Sequence, residues 1–198
     1  MSETKLYIYG AGAHGKVLAD IAEQLGMRIA GAFDKNLLRK TLLDQYTVHM
    51  GLGDMHFDQN DRFVIGILNN EYRKRIAEED LAGKRFASIE DKTVSLSRYA
   101  EVDPGTVLLA YAVVATDVQL GAHCIVGMHA AIEADAVVEN YVHIDSGVRI
   151  GSEVLVGEGT HIGSGAIIMP GVTIGRWCSI SPGTVVSEDV SDGTVIGA

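Results

Sequence analysis

From Val94 the chain divides without a gap into sixteen hexapeptides, beginning VSLSRY, AEVDPG, TVLLAY and ending TVVSED at Asp189. The third residue of every one is Leu, Ile or Val, from Leu96 through Ile132, Ile144 and Ile162 to Val186. The first residue is Val, Ala, Thr or Cys throughout. A short period held this long is the mark of a solenoid, because one hexapeptide cannot bury its own apolar face and needs stacked neighbours to do so. One large and one small inward residue per repeat fit a triangular turn. Three repeats are then expected to close one coil and the whole run to give about five, with parallel strands stacked at ~4.8 Å. The resulting eighteen-residue period puts His143 and His161 one coil apart on one face. Cys124 and Cys178 fall three coils apart, about 14 Å, well beyond the ~7 Å Cα limit for a disulfide.

A different pattern precedes the repeat. Residues 5–9 read as a buried strand running into GAGAHG, where Gly10, Gly12 and Gly15 have the spacing of the dinucleotide-binding fingerprint. A helix is expected over about 14–25, with Val17, Leu18, Ile21, Ala22 and Leu25 on one face. A second strand over 28–33 ends at Asp34, roughly twenty positions after the glycines. A third strand over 63–68 runs into Asn69 and Asn70; a helix over 71–81 and a short strand near 85–89 complete a Rossmann-like α/β unit. Small residues at such a turn let the backbone approach a phosphate, and the N–H groups of the helix start point at it. Two domains are therefore expected, 1–90 and 91–198. The first is too short to hold both mononucleotide halves and a catalytic domain, which argues against a nicotinamide dehydrogenase.

Composition narrows the partners. A formal charge of −10 with no run of Lys or Arg is a poor match for nucleic-acid phosphates. No stretch approaches the roughly 18 apolar residues of a membrane span, and the start MSETKLYIYG lacks a basic region followed by a long apolar one, so a cytoplasmic location is expected. Two cysteines are too few for a disulfide scaffold.

The order of parts, YIYGAGAHGKV, then Asp34, then GILNNEYRKRI, then coils with IIMPGVTIG near the end, resembles the sugar acetyltransferases that include bacillosamine and perosamine N-acetyltransferases and sialic acid O-acetyltransferases. The resemblance covers nearly the whole chain. It implies that the coil is a left-handed parallel β-helix, an exception to the right-handed crossover rule. It also implies that the α/β unit binds a nucleotide-linked amino sugar and that the β-helix forms a homotrimer binding acetyl-CoA as co-substrate, with no metal, in glycan biosynthesis. Gly12, Ala13, His14 and Gly15 would meet the nucleotide phosphates, with Asp34, Asn69 and Asn70 beside them. His143 falls where the family has a histidine near the acetyl group, and the N–H around Ser152 would face the thioester oxygen. Coenzyme A would run along Gly163, Ser164, Gly165, Ser181, Gly183 and Thr184.

The chain departs from that family at its base. Where the family has a histidine followed by an acidic residue, nine positions before the second histidine, the sequence reads Ala134–Asp135. Gly127 and Met128 replace the asparagine and threonine usual one repeat earlier. Several outcomes stay open: His143 or His129 serves as base, with Asp135 as the acidic member; a neutral amine acceptor needs little help; or transfer is lost while binding remains. O-acetylation, a non-catalytic sugar-binding role and a zinc carbonic anhydrase using His123, His129, His143 or His161 are the other readings. The last lacks a front α/β unit and the closely spaced later ligand pair. Tyr99, Tyr111, Tyr141 and Trp177, at repeat corners, are expected to give partly apolar faces for association.

Overall fold

After Lys5 the run to Tyr9 is buried on both faces and paired at both edges: as β1, Lys5–Tyr9, it lies parallel to β2, Arg28–Phe33, and to the later strand Arg62–Ile65. The structure, a computed structural model, describes residues 4–36, 38–53 and 55–197. The chain divides into two units, Met1–Ile89 and Glu90–Ala198.

In the first unit the expected strand over 28–33 is found as such, and the helix α1 spans Ala13–Gln24. Two strands were not expected: β3, Thr41–Leu42, and β4, Tyr46–His49, form a small hairpin whose second strand joins β2 in parallel. With Arg62–Ile65 as β5, the sheet order is β3-β4-β2-β1-β5. The expected helix over 71–81 begins as α2, Asn70–Arg75, and then widens into a π turn at Ile76–Asp80, closed by Leu81 N–H donating to the Ile76 carbonyl at 2.8 Å. Ile76 and Leu81 are both fully buried, and the wider turn brings both inward. Tyr7, Phe33, Phe57 and Phe63 pack ring to ring at 5.1–6.4 Å below the sheet.

In the second unit each of the sixteen hexapeptides supplies one two-residue strand among the described residues, from Ser95–Leu96 to Val185–Val186. Every pairing between them is parallel and displaced by eighteen residues, as at Ile125↔His143 and His143↔His161. Six strands stack on one face and five on another. The third face carries Val107–Leu108, Ile125–Val126, His143–Ile144, His161–Ile162 and Ser179–Ile180. The core is the column of first and third positions, including Val126, Val142, Ile144, Ile162 and Ile180. Two of the three first-position threonines are fully buried, and each fills a gap in the ladder: Thr160 Oγ1 accepts from Cys178 N–H at 3.0 Å and donates to the Gly175 carbonyl at 2.7 Å, and Thr106 does the same for Cys124 and Gly121. Both cysteines are buried and free.

Sixth positions turn the corners in left-handed backbone, including Tyr111, His123, His129, Asp135, Tyr141 and Trp177 at φ between 55° and 61°. That conformation costs a non-glycine residue on the order of 1 kcal/mol or more. It is offset because it aims the corner N–H along the axis at the preceding coil, as in Tyr141 N–H to Ala122 O at 2.9 Å and Trp177 N–H to Glu158 O at 2.8 Å. The corners also stack. His123 lies flat on Tyr141 with ring centroids 5.3 Å apart, so Tyr141 is buried and is not the exposed aromatic expected of it, whereas Tyr99, Tyr111 and Trp177 are exposed. Among the described residues no helix is long and apolar enough to cross a membrane.

Candidate active site

The glycine turn after β1 is a close-packed knot. A Cβ on Gly15 would collide with the Gly10 carbonyl, and one on Gly66 would lie 2.9 Å from Gly15 Cα, so α1 can start against the ends of β1 and β5 only without side chains at these positions. Gly12 is the N-cap of α1, with no side-chain cap, and leaves the first-turn N–H groups to another acceptor. Ala13 is exposed, but the side chain of His14 is buried, so its contribution to a bound phosphate is limited to its backbone.

Asp34, at the end of β2, braces this turn. It accepts from Ala11 N–H at 2.8 Å, from Asn36 N–H at 2.8 Å and from Arg39 at 2.7 Å. Partial burial pushes its carboxyl up, but the bonds from Asn36, Arg39 and Ala11 outweigh this and hold it below the usual carboxylate range. Arg39, which the sequence reading missed, is thereby held with its guanidinium 3.4–3.7 Å from where a Gly12 Cβ would be. A cavity of about 210 Å³ opens alongside, lined by Tyr9, Lys35, Met50, Gly51, Leu52 and Asp80. It lies at the carboxyl ends of parallel strands, where α/β sheets bind ligands. Tyr9 donates to Asp80 at 2.5 Å and Lys35 reaches the same carboxylate at 3.4 Å. Asn69 caps α2 by accepting from Tyr72 N–H at 2.8 Å. Asn70 accepts from the buried Arg73, which also donates to the carbonyls of Ile67 and Leu68. Both asparagines thus shape the loop after β5.

In the β-helix, His143 and His161 stand on adjacent coils with ring centroids 4.9 Å apart and planes tilted by 32°. Asp145, two residues after His143, places Oδ1 3.0 Å from His143 Nε2 and Oδ2 3.3 Å from His161 Nε2. The hydrogen bond to His143, set against partial burial, holds the Asp145 carboxyl down to about 2. His143 is buried although its position in the repeat points outward; His161 is the more exposed ring. Ser164 Oγ donates to Asp145 Oδ2 at 3.3 Å, joining one of the expected coenzyme A residues to the cluster. Beside it, Gly147, Gly165 and Gly183 form one corner at φ 70–71°, and nothing lies within 4 Å of a Cβ placed on Gly165 or Gly183. Gly163 serves packing instead, since its Cβ would meet Pro182 N at 2.7 Å and its absence lets two coils close together. Ser181 and Thr184 are half-buried and share a turn, Thr184 N–H donating to Ser181 O at 3.3 Å.

The remaining sequence candidates fall elsewhere. Asp135 lies on an exposed corner opposite the face bearing His143, and His129 on an exposed corner stacked against Tyr111 at 4.9 Å. Ser152 N–H, expected to face a thioester oxygen, instead donates to Glu133 at 3.2 Å, and the Ser152 hydroxyl to the same carboxylate at 2.9 Å. The eighteen-residue period had placed His161 beside His143, and the pairing of the two strands bears this out; Asp145 was missed as their shared partner, although its i, i+2 spacing from His143 carried the signal.

A glycine-turn α/β unit ahead of a hexapeptide coil bearing a bridged histidine pair defines a two-part hexapeptide transferase. Residues 5–79 match the PglD N-terminal domain, and residues 153–188 match the bacterial transferase hexapeptide of six repeats. The acetyltransferase domain of PglB from Neisseria gonorrhoeae FA1090 is 27% identical, with a TM-score of 0.89, over 98% of this chain and 96% of that one. The same domain is known in complex with acetyl coenzyme A, at a TM-score of 0.90. PerB from Caulobacter crescentus, solved with CoA and GDP-perosamine, shares the fold at 22% identity and a TM-score of 0.89, covering 98% and 94% of the two chains. The chain thus joins a match to the PglD N-terminal domain with a match to the bacterial transferase hexapeptide, and is similar along almost its whole length to the PglB acetyltransferase domain.

Proposed function

We propose that this protein transfers the acetyl group of acetyl-CoA to the amino group of a nucleotide-linked amino sugar. The observation that carries the reading is the His143–Asp145–His161 cluster beside an open glycine corner, in a chain matching an acetyltransferase domain known with acetyl coenzyme A along almost its whole length. The sugar nitrogen attacks the thioester carbon, a C–N bond forms, the C–S bond breaks, and the amine proton passes to the imidazole pair as coenzyme A leaves. Asp145 orients both rings and stabilises the imidazolium that results, which compensates for Ala134 at the family's usual base position. In the α/β unit the N–H groups at Gly12 and Ala13 and the Arg39 guanidinium meet the nucleotide phosphates, with Lys35 at the rim of the adjoining cavity.

The working form we infer is a cytoplasmic homotrimer in bacterial glycan biosynthesis, its coenzyme A lying along Ser164, Gly165 and Gly183. Exposed Val113, Ile167 and Val185 share the outward row of one face, with Ala131 and Arg149 between the first two, and are the apolar surface that supports association. Ala134 favours a second reading, in which both ligands bind without turnover. Release of coenzyme A, assayed with UDP-, GDP- and dTDP-linked amino sugars, separates the two. Turnover that is lost in His143→Ala supports transfer by the bridged pair. Turnover seen only after Ala134→His leaves the wild-type chain a binder, and no acetyl-CoA binding in either form overturns both.

A further inference from the structure

The geometry points to a divalent metal site of the zinc type formed by His143 Nε2, His161 Nε2 and the Asp145 carboxylate, one per chain. The ligand atoms of these three residues lie within 4.8 Å of one another, and the carboxylate oxygens are 3.0 Å and 3.3 Å from the two nitrogens. With zinc–nitrogen and zinc–oxygen bonds of about 2.0–2.2 Å, tetrahedral ligands stand about 3.3 Å apart, so small side-chain rotations would close the set around one ion. Two imidazoles and one carboxylate are the donor set of open zinc sites and of facial iron and cobalt sites; the nitrogen donors disfavour magnesium and calcium.

The backbone holds the three residues in register. His143 N–H donates to Thr160 O, Asp145 N–H to Ile162 O and His161 N–H to Cys178 O, each at 2.9 Å. Side-chain exposures of 10%, 28% and 42% for His143, Asp145 and His161 leave an open side for water or another ligand. The ion displaces the Nε2–H groups that donate to Asp145 and draws away the carboxylate that orients both rings, so on the proposed transfer it acts as an inhibitor. The binding itself does not depend on that reading.

The test uses the full chain free of any polyhistidine tag, titrated with Co²⁺ and followed by its visible d–d absorption, then challenged with Zn²⁺. One equivalent per chain is expected, displaced by Zn²⁺, with affinity falling at least tenfold in His161→Gln and in Asp145→Asn but unchanged in His56→Gln, on the exposed surface of the α/β unit. Circular dichroism confirms that each variant keeps its fold. Substoichiometric binding, or equal affinity in His161→Gln, overturns the site whatever the turnover. Stoichiometric binding that leaves coenzyme A release unaffected overturns the inhibition, and with it the role of the pair as base, while the metal site stands.

Discussion

His143 Nε2 and Asp145 Oδ1 are 3.0 Å apart across a single intervening residue, Ile144, whose side chain points the opposite way into the core. Alternation along the strand puts the histidine and the aspartate on one outward face, and ladder bonds fix both. Removing the carboxylate should therefore disturb the ring without disturbing the coil. Asp145→Asn is expected to lower turnover by about 10²-fold, in keeping with general acid–base contributions, with little change in acetyl-CoA affinity. Steady-state kinetics of coenzyme A release against acetyl-CoA binding measures the split; an unchanged kcat removes Asp145 from the mechanism.

The same pair predicts an acid dependence. The Asp145 carboxyl titrates at about 2 in the folded chain and near 3.9 when unfolded, so between these values the unfolded chain holds the extra proton. The stabilisation is complete above about pH 4 and is lost as pH falls toward 2. The side chain is 28% exposed, and after screening the effect is about 1–2 kcal/mol. Denaturant unfolding of wild type and Asp145→Asn at pH 6 and pH 3 should show their difference narrowing at the lower pH.

Thr160 is fully buried, donating to Gly175 O and accepting from Cys178 N–H. Thr160→Val keeps the shape but strands both backbone groups, which costs about 1–3 kcal/mol. Chemical denaturation should register the loss, and Thr106→Val should match it because Thr106 makes the same two bonds to Gly121 and Cys124.

Arg39 is held at the glycine turn by Asp34. Arg39→Ala should weaken binding of the nucleotide sugar about tenfold, the worth of roughly 1.5 kcal/mol for a charge-assisted bond, and leave acetyl-CoA affinity unchanged. Calorimetric titration with each ligand checks both halves of that statement.

At Gly15 a methyl group would run into the Gly10 carbonyl, which is backbone and cannot rotate away. Gly15→Ala is expected to destabilise the α/β unit by about 2 kcal/mol or more. Thermal unfolding of the variant should show the loss, with the far-UV signal of the β-helix persisting to higher temperature.

The sixteen strands, their inward residues and the free cysteines were legible in the sequence because each depends on a covalent period: once three repeats close a coil, every inward side chain follows. The glycine turn and the strand ending at Asp34 were legible for a similar reason, their constraints lying within a few residues. The hairpin at β3 and β4 was not, since its strands are two and four residues long and carry little alternation. Only the tertiary structure stacked His123 on Tyr141, turned the Ser152 N–H to Glu133, set Arg39 beside Gly12 and put one carboxylate between His143 and His161. These contacts depend on rotamers and on neighbours brought together by chain closure. Sequence spacing fixes which side chains share a face; which atoms meet is decided by packing.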